Sequence, residues 1–282
     1  MADYASLHKD ILQEILKFLS FADYIRFGAV CSQWYEVWYE VVKEKHYFPY
    51  LLFFDGDFPM IFNILENVVY QIEISELQEM HCVGFSHGWL IMINPSFDIK
   101  LLKPFSKTQV NLPPVPFFWT EEDFDILINK AVISSDPSKS SNYIVAAIYH
   151  WSYRLAFWKP GDSESTVITS TFILEDIIWY NGAFYVVGKD SQVCRVEFGM
   201  NIKLIEIASQ DKWDSHRKKI YMVDFMGDLL LIYRMIYPTG YNSLKTKCFK
   251  LFKLDLEENQ FVEMKNINGF VLFCFWVLIM PC

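Results

Sequence analysis

The chain has 282 residues, of which 52% are hydrophobic, 18% aromatic and 21% charged, and its formal net charge is -9. This composition excludes a long disordered chain, because the apolar fraction is large enough for a sizeable core in one or two domains. The negative charge argues against nucleic acid as the main partner, since a polyanion is bound by clustered lysine and arginine. The tight basic run at residues 217–219 is interpreted as a solvated turn.

Cysteine usage and the chain ends bear on the cellular compartment. The six cysteines lie far apart with no CxxC pair, which is neither a zinc framework nor a compact disulfide scaffold. Residues 1–10 lack the basic and apolar regions of a secretory signal, and the apolar run at residues 270–280 is too short to span a bilayer as a helix. We therefore predict a cytoplasmic and/or nuclear protein with reduced thiols, no membrane partner, and a buried strand or an odd tail at the end.

Residues 6–38 have the pattern of three short amphipathic helices. A first apolar stripe has helical spacing and consists of Ile11, Leu12, Ile15, Leu16 and Leu19. Ser20 and Asp23 then form the pattern of a capping box. A second stripe follows, made of Phe27, Val30, Cys31 and Trp34. So short a segment rarely holds a sufficient core alone, and the surplus apolar surface therefore predicts a docking partner.

This segment resembles an F-box, whose pattern opens with Leu-Pro, continues through an Ile-Leu helix and ends in Val-Cys-x-x-Trp. The matching positions are Leu7, Ile11, Leu12, Ile15, Leu16, Leu19, Asp23, Ile25, Arg26, Phe27, Val30, Cys31 and Trp34. His8 stands where the family usually has proline, so we expect the start of the first helix to fray. Gly28 stands where a longer residue is usual, and we expect it to lower helix propensity by about 1 kcal/mol relative to alanine.

The resemblance implies that the helices bind a Skp-type adaptor and, through it, a cullin. The expected adaptor-binding residues are Leu7, Ile11, Leu12, Ile15, Leu16, Leu19, Ile25, Arg26, Val30, Cys31 and Trp34. An amphipathic helical face that fits another helical surface is physically consistent with this role. The sequence does not separate residues that hold the helices together from residues that touch the adaptor.

After the helices, residues 48–80 are predicted as a connector, and the hydrophobic pattern then changes from helical to strand-like. Glycines at 88, 182 and 227 each lie between two apolar runs, which is typical of tight hairpins. The separations between these glycines fit a repeat of roughly 45 residues, with four short strands in each unit. This spacing predicts a β-propeller of about five blades; another all-β fold, such as a sandwich, is the alternative.

This region also resembles the C-terminal, kelch-like or propeller-like domain of a large group of plant F-box proteins. Residues 86–90 (SHGWL), 101–105 (LLKPF) and 112–114 (LPP) match its recurrent phrases in order. The final residues, CFWVLIMPC, do not resemble that family. We therefore predict an α+β multidomain protein with a three-helix F-box at 1–47 and an all-β, propeller-like domain at 81–282 whose last blade is incomplete or atypical, as in a truncated or alternatively spliced product.

Several residues could indicate catalysis or metal binding, and each has a simpler structural explanation. His81, Cys82 and His87 lack a further spaced ligand, so we interpret them as a strand edge and turn. The acids at 121–125 are interpreted as a solvated loop. Cys31 lies on an apolar stripe without an activating base, and packing explains it better than ubiquitin transfer does. With no GxSxG, P-loop, GxGxxG or HExxH motif, no cofactor, metal site or catalytic residue is predicted.

The predicted function is therefore that of a non-catalytic substrate-recognition subunit of a Skp–cullin–F-box ubiquitin ligase, which acts in protein degradation. Exposed loops would bind the target protein, and the candidate target-binding residues are Trp119, Trp151, Tyr153, Arg154 and Tyr237. One alternative is an adaptor-binding scaffold or a truncated, non-degradative F-box product. A second alternative is a β-propeller enzyme with an accessory helical segment.

Overall fold

The structure is a computed structural model. It describes residues 7–19, 21–44, 50–55, 58–63, 67–71, 80–94, 98–103, 108–113, 128–149, 152–209, 218–240, 243–267 and 278–280. Every structural statement that follows concerns those residues. Ser20 of the predicted capping box lies outside them, and so do the predicted target-binding residues Trp119 and Trp151.

The chain begins with helices and continues with strands. The helices are α1 (Lys9–Phe18), α2 (Phe21–Phe27) and α3 (Ser32–Glu44). The first half of the strands consists of β1 (Tyr50–Asp55), β2 (Phe58–Asn63), β3 (Val68–Gln71), β4 (His81–Ser86), β5 (Trp89–Ile93), β6 (Ile99–Lys103), β7 (Thr108–Leu112), β8 (Ile128–Ile133), β9 (Val145–Tyr149) and β10 (Arg154–Trp158). The second half consists of β11 (Thr166–Thr169), β12 (Leu174–Tyr180), β13 (Ala183–Gly188), β14 (Val193–Glu197), β15 (Lys203–Ala208), β16 (Lys218–Phe225), β17 (Asp228–Gly240), β18 (Ser243–Asp255), β19 (Gln260–Met264) and β20 (Leu278–Met280).

The described strands form five four-stranded antiparallel sheets, in agreement with the repeat length. Four of these sheets are simple meanders, β4–β7, β8–β11, β12–β15 and β16–β19, and the remaining sheet has the order β20-β1-β2-β3. The first strands of neighbouring meanders contact each other, β4 with β8, β8 with β12 and β12 with β16. This serial packing of meanders through their first strands is the arrangement of propeller blades.

The hairpin predictions at the three glycines are confirmed. Gly88, Gly182 and Gly227 each join the first two strands of a meander, and each has a φ between 79° and 85°. The residue before each glycine also has a positive φ, which is the geometry of a two-residue type I′ turn. Because glycine has no Cβ, it adopts this conformation without strain.

The hydrophobic core lies between neighbouring sheets rather than at one centre. One buried cluster joins β4–β7 to β8–β11, a second joins β8–β11 to β12–β15, and a third joins β12–β15 to β16–β19. The sheet β8–β11 lies between two of these clusters and is apolar on both faces, so every residue of β9 is buried. Every residue of β5 is buried as well. This explains why WLIMI and VAAIY are continuous apolar runs instead of alternating ones.

Two predictions concern the boundaries of the sheet region. The segment 48–80, predicted as a connector, contains β1, β2 and β3, which pair with one another and with β20. The prediction was an incomplete or atypical last blade, and the last described meander has four strands, of which β17 and β18 are unusually long at 13 residues each. Within the C-terminal apolar run, β20 pairs with β1 and takes the position next to it in the first sheet. Such a pairing joins distant segments, so a local pattern cannot indicate it.

Hydrogen bonds between neighbouring sheets recur at the length of the repeat. The Trp89 Nε1 donates to Asp136 Oδ1 at 2.8 Å, and the two residues are 47 apart in sequence. The Trp158 Nε1 donates to the carbonyl oxygen of Pro113 at 2.8 Å across 45 residues. The Tyr180 hydroxyl donates to the carbonyl oxygen of Gly227 at 2.5 Å across 47 residues. These bonds join β4–β7 to β8–β11 at two points and β12–β15 to β16–β19 at one.

Asp176 joins three successive sheets through one buried carboxylate. It lies in β12 and is 1% exposed. Its Oδ1 accepts from the Lys130 ammonium group of β8, and its Oδ2 accepts from the Met222 amide of β16 at 2.6 Å. The Lys130 and Met222 positions each lie 46 residues from Asp176. A buried charge is tolerated only when it is paired and hydrogen-bonded in this way.

We predict that Asp176→Ala lowers the free energy of unfolding by about 3 kcal/mol, because it leaves a buried amide donor without its acceptor and a lysine without its counter-ion. Denaturant titration followed by tryptophan fluorescence measures the change. Glu164→Ala removes an exposed carboxylate and serves as the control. A loss as small as that of the control would contradict the role of Asp176.

A second prediction concerns the dependence of folding stability on pH, through the carboxyl group of Asp136. Burial by itself would raise the pKa of Asp136, but hydrogen bonds from Ser138 and Trp89 outweigh it and lower the pKa from 3.8 to about 2. This stabilisation is present above the unfolded-state pKa of about 4 and is lost as the pH falls towards 2. We expect the difference in unfolding free energy between the wild type and Asp136→Asn to shrink between about pH 4 and pH 2. A constant difference would show that Asp136 does not titrate with this pKa.

Candidate functional site

The helical segment has a small core of its own. Its buried residues are Leu12, Leu16, Phe27 and Val37. Half-buried residues pack around them, namely Leu7, Ile15, Leu19, Tyr24, Trp34, Trp38 and Val41. Of the residues predicted to bind an adaptor, Leu12 and Leu16 therefore hold the helices together. Replacing these two by aspartate would unfold the segment rather than test an interface.

A second apolar stripe on α1 lies beside that core and is exposed at two of its three positions, with Ile15 half-buried between them. Leu12, Leu16 and Leu19 form the inward stripe. On the adjacent stripe, Ile11 is 50% exposed and Phe18 is 84% exposed. Residues 11, 15 and 18 have i, i+4, i+7 spacing and therefore lie on one side of the helix. Phe18 was not among the predicted adaptor-binding residues, although it stands seven residues after Ile11. We call residues 11, 15 and 18 the outer stripe.

The other predicted contact residues differ in their accessibility. Val30 is 58% exposed in the turn before α3, and the exposed Arg26 lies 3.3 Å from the Asp23 carboxylate. Cys31 is half-buried, and the side chain of Ile25 lies outside the described residues. Trp34 is half-buried, with its ring 4.4 Å from that of Phe27, so it serves the core of the segment.

Helix α3 adds exposed aromatic residues that were not among the predicted adaptor-binding residues. Tyr35 is 49% exposed and Tyr39 is 44% exposed. Their rings are stacked with centroids 5.9 Å apart. The i, i+4 spacing on a helix indicates such a pair from the sequence, although it does not reveal that the pair is exposed.

The expectation that His8 weakens the start of α1 is not met. His8 occupies the N-cap position with an extended backbone, and its Nδ1 accepts from the Asp10 amide at 3.4 Å. Two further contacts hold α1 against α3. The Lys9 ammonium group pairs with Glu40, and the side chain of Gln33 donates to the carbonyl oxygen of Leu7 at 3.0 Å. A capping side chain thus replaces the backbone restraint of a proline.

The expectation for Gly28 was also wrong, for a steric reason. Gly28 lies in the turn after α2, so helix propensity does not apply to it. A Cβ at this position would lie 2.9 Å from Cδ2 and 3.0 Å from Cε3 of Trp38. The glycine therefore allows the indole of α3 to pack directly against the backbone of the turn.

The described target-binding candidates share one end of the sheets. In a four-stranded meander, the turn between the first and second strands lies at one end, and the turn between the second and third lies at the other. We call these ends face A, which holds Gly88, Gly182 and Gly227, and face B. Tyr153 and Arg154 belong to the β9–β10 connection, and Tyr237 approaches the β17–β18 connection, so all three lie at face B. Tyr153 is 39% exposed and Tyr237 is 41% exposed.

The residues weighed as metal ligands or catalysts do not form a site in the described part of the chain. The Cys82 thiol donates to the carbonyl oxygen of Gly84 at 3.4 Å, and burial raises its pKa to about 12. His87 occupies the turn at face A. The described residues contain no group of three histidine, cysteine or acidic side chains suited to a metal ion. The acids at 121–125 lie outside them. None of the described helices has the length and apolar character to cross a membrane.

Two family models match the chain. A model described as the KIB1-4 beta-propeller matches residues 61–276, which is about three quarters of the chain. A model described as the F-box domain matches residues 5–45 and so covers the helical segment. The propeller match begins within β2, in agreement with the strands found before residue 80.

The curated relatives that match the chain are F-box proteins of Arabidopsis thaliana. The F-box/kelch-repeat protein KIB1 is 23% identical, over 94% of this chain and 71% of its own length. F-box only protein 7 is 22% identical, over 94% of this chain and 77% of its own length. A further F-box protein is 24% identical over 70% of this chain, and the match spans 59% of that relative's length.

Solved structures resemble the chain more weakly. AztD from Citrobacter koseri superposes with a TM-score of 0.40 at 10% identity, over 76% of this chain and 57% of that chain. YCF48 from Cyanidioschyzon merolae gives a TM-score of 0.40 at 10% identity, over 76% of this chain and 71% of that chain. Similarities of this size carry no argument about function.

We predict that Gly28→Ala destabilises the helical segment by about 1–3 kcal/mol, because the added methyl group overpacks against the Trp38 ring. Thermal melting followed by far-ultraviolet circular dichroism measures the effect. The neighbouring exposed Ala29→Gly is the control, and the double variant Gly28→Ala with Trp38→Leu should recover part of the loss. A Gly28→Ala protein as stable as the wild type would contradict the steric explanation.

Proposed function

The chain belongs to the KIB1-4 beta-propeller family and carries an F-box domain, and from this premise we propose that it is a substrate-recognition subunit of a Skp–cullin–F-box ubiquitin ligase. In this role the helical segment binds a Skp-type adaptor and the propeller binds a target protein. The observation that carries the proposal is the outer stripe of α1, which exposes apolar side chains outside a core that is already complete.

The outer stripe has the size and chemistry for a helical partner. Burying an exposed isoleucine or phenylalanine contributes roughly 1.5–3 kcal/mol each. Amphipathic helices are recognised through anchors at i, i+4 and i+7, which is the spacing of residues 11, 15 and 18. The adaptor contacts are therefore proposed at Ile11, Ile15 and Phe18, with Val30 as a further candidate.

The topology of the propeller supports a division between the two partners. In each meander the second strand runs from face A to face B. Since β1 holds the second position in its own sheet, we propose by analogy that it begins at face A and that the helical segment joins the propeller there. Tyr153, Arg154 and Tyr237 lie at face B, where a target would be held away from the adaptor.

The proposed role is non-catalytic and intracellular. A receptor supplies binding surfaces, and the ubiquitin-transfer chemistry belongs to other subunits of the ligase. A cytoplasmic or nuclear location is proposed on the basis of the cysteines. Cys82 and Cys194 are free thiols, and burial raises their pKa values to about 12 and about 11. Such thiols stay protonated and unreactive at neutral pH.

The test of the proposal uses Ile11→Asp combined with Phe18→Asp. We expect this variant to lose adaptor binding by about a hundredfold or more, because two anchors are replaced by charges that would have to be desolvated. Binding of the full-length variant to a purified Skp adaptor is measured by isothermal titration calorimetry. Since both side chains are exposed, the circular dichroism spectrum and the melting temperature should stay close to those of the wild type.

The matched control is Met200→Asp combined with Met226→Asp, which adds the same charge at methionines that are 103% and 77% exposed in the propeller. This control should bind the adaptor as the wild type does. Unchanged binding by the Ile11→Asp and Phe18→Asp variant would contradict the proposed interface, and a wild-type protein that binds no Skp adaptor would contradict the proposed function.

An adaptor-binding scaffold without a target is distinguished by a second measurement. In cells, adaptor and target should both co-purify with the protein, and the target should accumulate when the proteasome is inhibited. Recovery of the adaptor alone, with no protein that accumulates, would favour the scaffold.

A further inference from the structure

The hairpin formed by β17 and β18 is longer than the sheet that carries it. Both strands have 13 residues, whereas within the described residues β16 pairs with β17 only up to Met235. On the other side, the described β19 pairs with β18 only from Leu251 onward. Residues 236–240 of β17 and 243–246 of β18 thus form a two-stranded extension at face B, and residues 248–250 of β18 pair with the part of β17 that also pairs with β16. We call residues 236–240 and 243–250 the ribbon.

The ribbon has a charge opposite to that of the whole protein. The chain carries a net charge of -9, yet residues 229–254 contain five lysines and arginines and no aspartate or glutamate. Of these five, Lys253 pairs with Asp228 at 2.7 Å, near face A. The remaining basic residues lie on or beside the ribbon and are Arg234, Lys245, Lys247 and Lys250. Lys245 and Lys247 are exposed.

The ribbon also presents aromatic surface and an open strand edge. Tyr237 is 41% exposed and Phe249 is 43% exposed. Within the described part of the chain, no strand pairs with the outer edge of residues 243–250. An unpaired edge offers a row of backbone donors and acceptors to which another extended segment can be added. The Arg234 Nε of β17, just before the ribbon, donates to Thr246 Oγ1 of β18 at 2.8 Å and so links the two strands there.

We propose that the ribbon binds an extended acidic segment of a target protein, which pairs as an added strand with the outer edge of β18. This inference rests on the proposed function, since it specifies which surface of the receptor binds the target and which kind of segment it recognises. Backbone pairing supplies affinity that does not depend on sequence, and the lysines select acidic side chains. The exposed aromatic residues add apolar contact area for the same segment.

The charge distribution favours an acidic protein segment over nucleic acid. A long polyanion would extend past the ribbon, across a molecule whose net charge is -9, and would be repelled there. A short acidic strand would contact only the ribbon. The same lysines would also keep the open edge from pairing with other copies of this chain.

The experiment measures binding of fluorescein-labelled peptides of about ten residues to the full chain by fluorescence anisotropy. The acidic probe alternates glutamate and threonine, the neutral probe replaces glutamate by glutamine, and a third probe is the acidic peptide with N-methyl groups on alternate amides. We expect the acidic probe to bind, with an affinity that falls as salt is raised. The neutral and N-methylated probes should bind with an affinity at least about tenfold lower than that of the acidic probe.

The variant Lys245→Glu combined with Lys247→Glu should weaken binding of the acidic probe by about tenfold or more. The control, Lys189→Glu combined with Lys203→Glu, makes the same charge change at exposed lysines of the β12–β15 sheet and its turns, and it should bind as the wild type does. All of these proteins should keep their affinity for the Skp adaptor, so failure at the ribbon is distinguishable from failure of the proposed function.

Three results would overturn the proposal. The first is an acidic probe that does not bind, or that binds the ribbon variant and the wild type equally. The second is an N-methylated probe that binds as tightly as the acidic one, which would exclude strand addition. The third is a single-stranded oligonucleotide or an anionic vesicle that binds the ribbon more tightly than the acidic probe.

Discussion

The buried carboxylate of Asp176 is the interaction on which the arrangement of the sheets depends. It binds Lys130 of the preceding sheet and the Met222 amide of the following one, so three successive sheets are fixed to one another at a single point. The hydrophobic clusters between the sheets supply most of the favourable burial, but apolar contact is non-directional. A buried charge is stable with only one set of partners, so it fixes the register in which neighbouring sheets pack.

A rigid series of sheets makes the surfaces at its ends useful for binding. The connections at face B are positioned by strands that are buried on both sides, so they can differ in length and chemistry without disturbing the core. The ribbon is the clearest example, because β17 and β18 continue beyond the sheet that anchors them. The helical segment is proposed to bind through its side chains and not through a long connection. Its core is complete with a few buried residues, and Ile11 and Phe18 of its remaining apolar stripe are exposed.

How much the sequence could predict depended on whether the relevant signal was local. The hairpins at Gly88, Gly182 and Gly227 were predictable, because each turn requires a positive φ that glycine adopts freely. The first sheet was not predicted, although Asp55 and Gly56 form a turn signal between β1 and β2, because one of its strands, β20, comes from the far end of the chain. In the helices, one apolar pattern contained both an inward and an outward stripe, so Leu12 and Ile11 could not be told apart before their burial was known. Gly28 was misjudged because the ring it accommodates lies ten residues further along the chain.

In the proposed function, the chain joins an adaptor to a target through two separate surfaces, one on the helical segment and one on the propeller. Hydrogen–deuterium exchange of the full-length protein, with and without a purified Skp adaptor, shows which of these surfaces the adaptor covers. We expect the adaptor to slow exchange in peptides covering α1 and the α2–α3 turn and to leave the four meanders unchanged. Protection that is absent from the helices, or that is centred on the propeller, would contradict the proposed function.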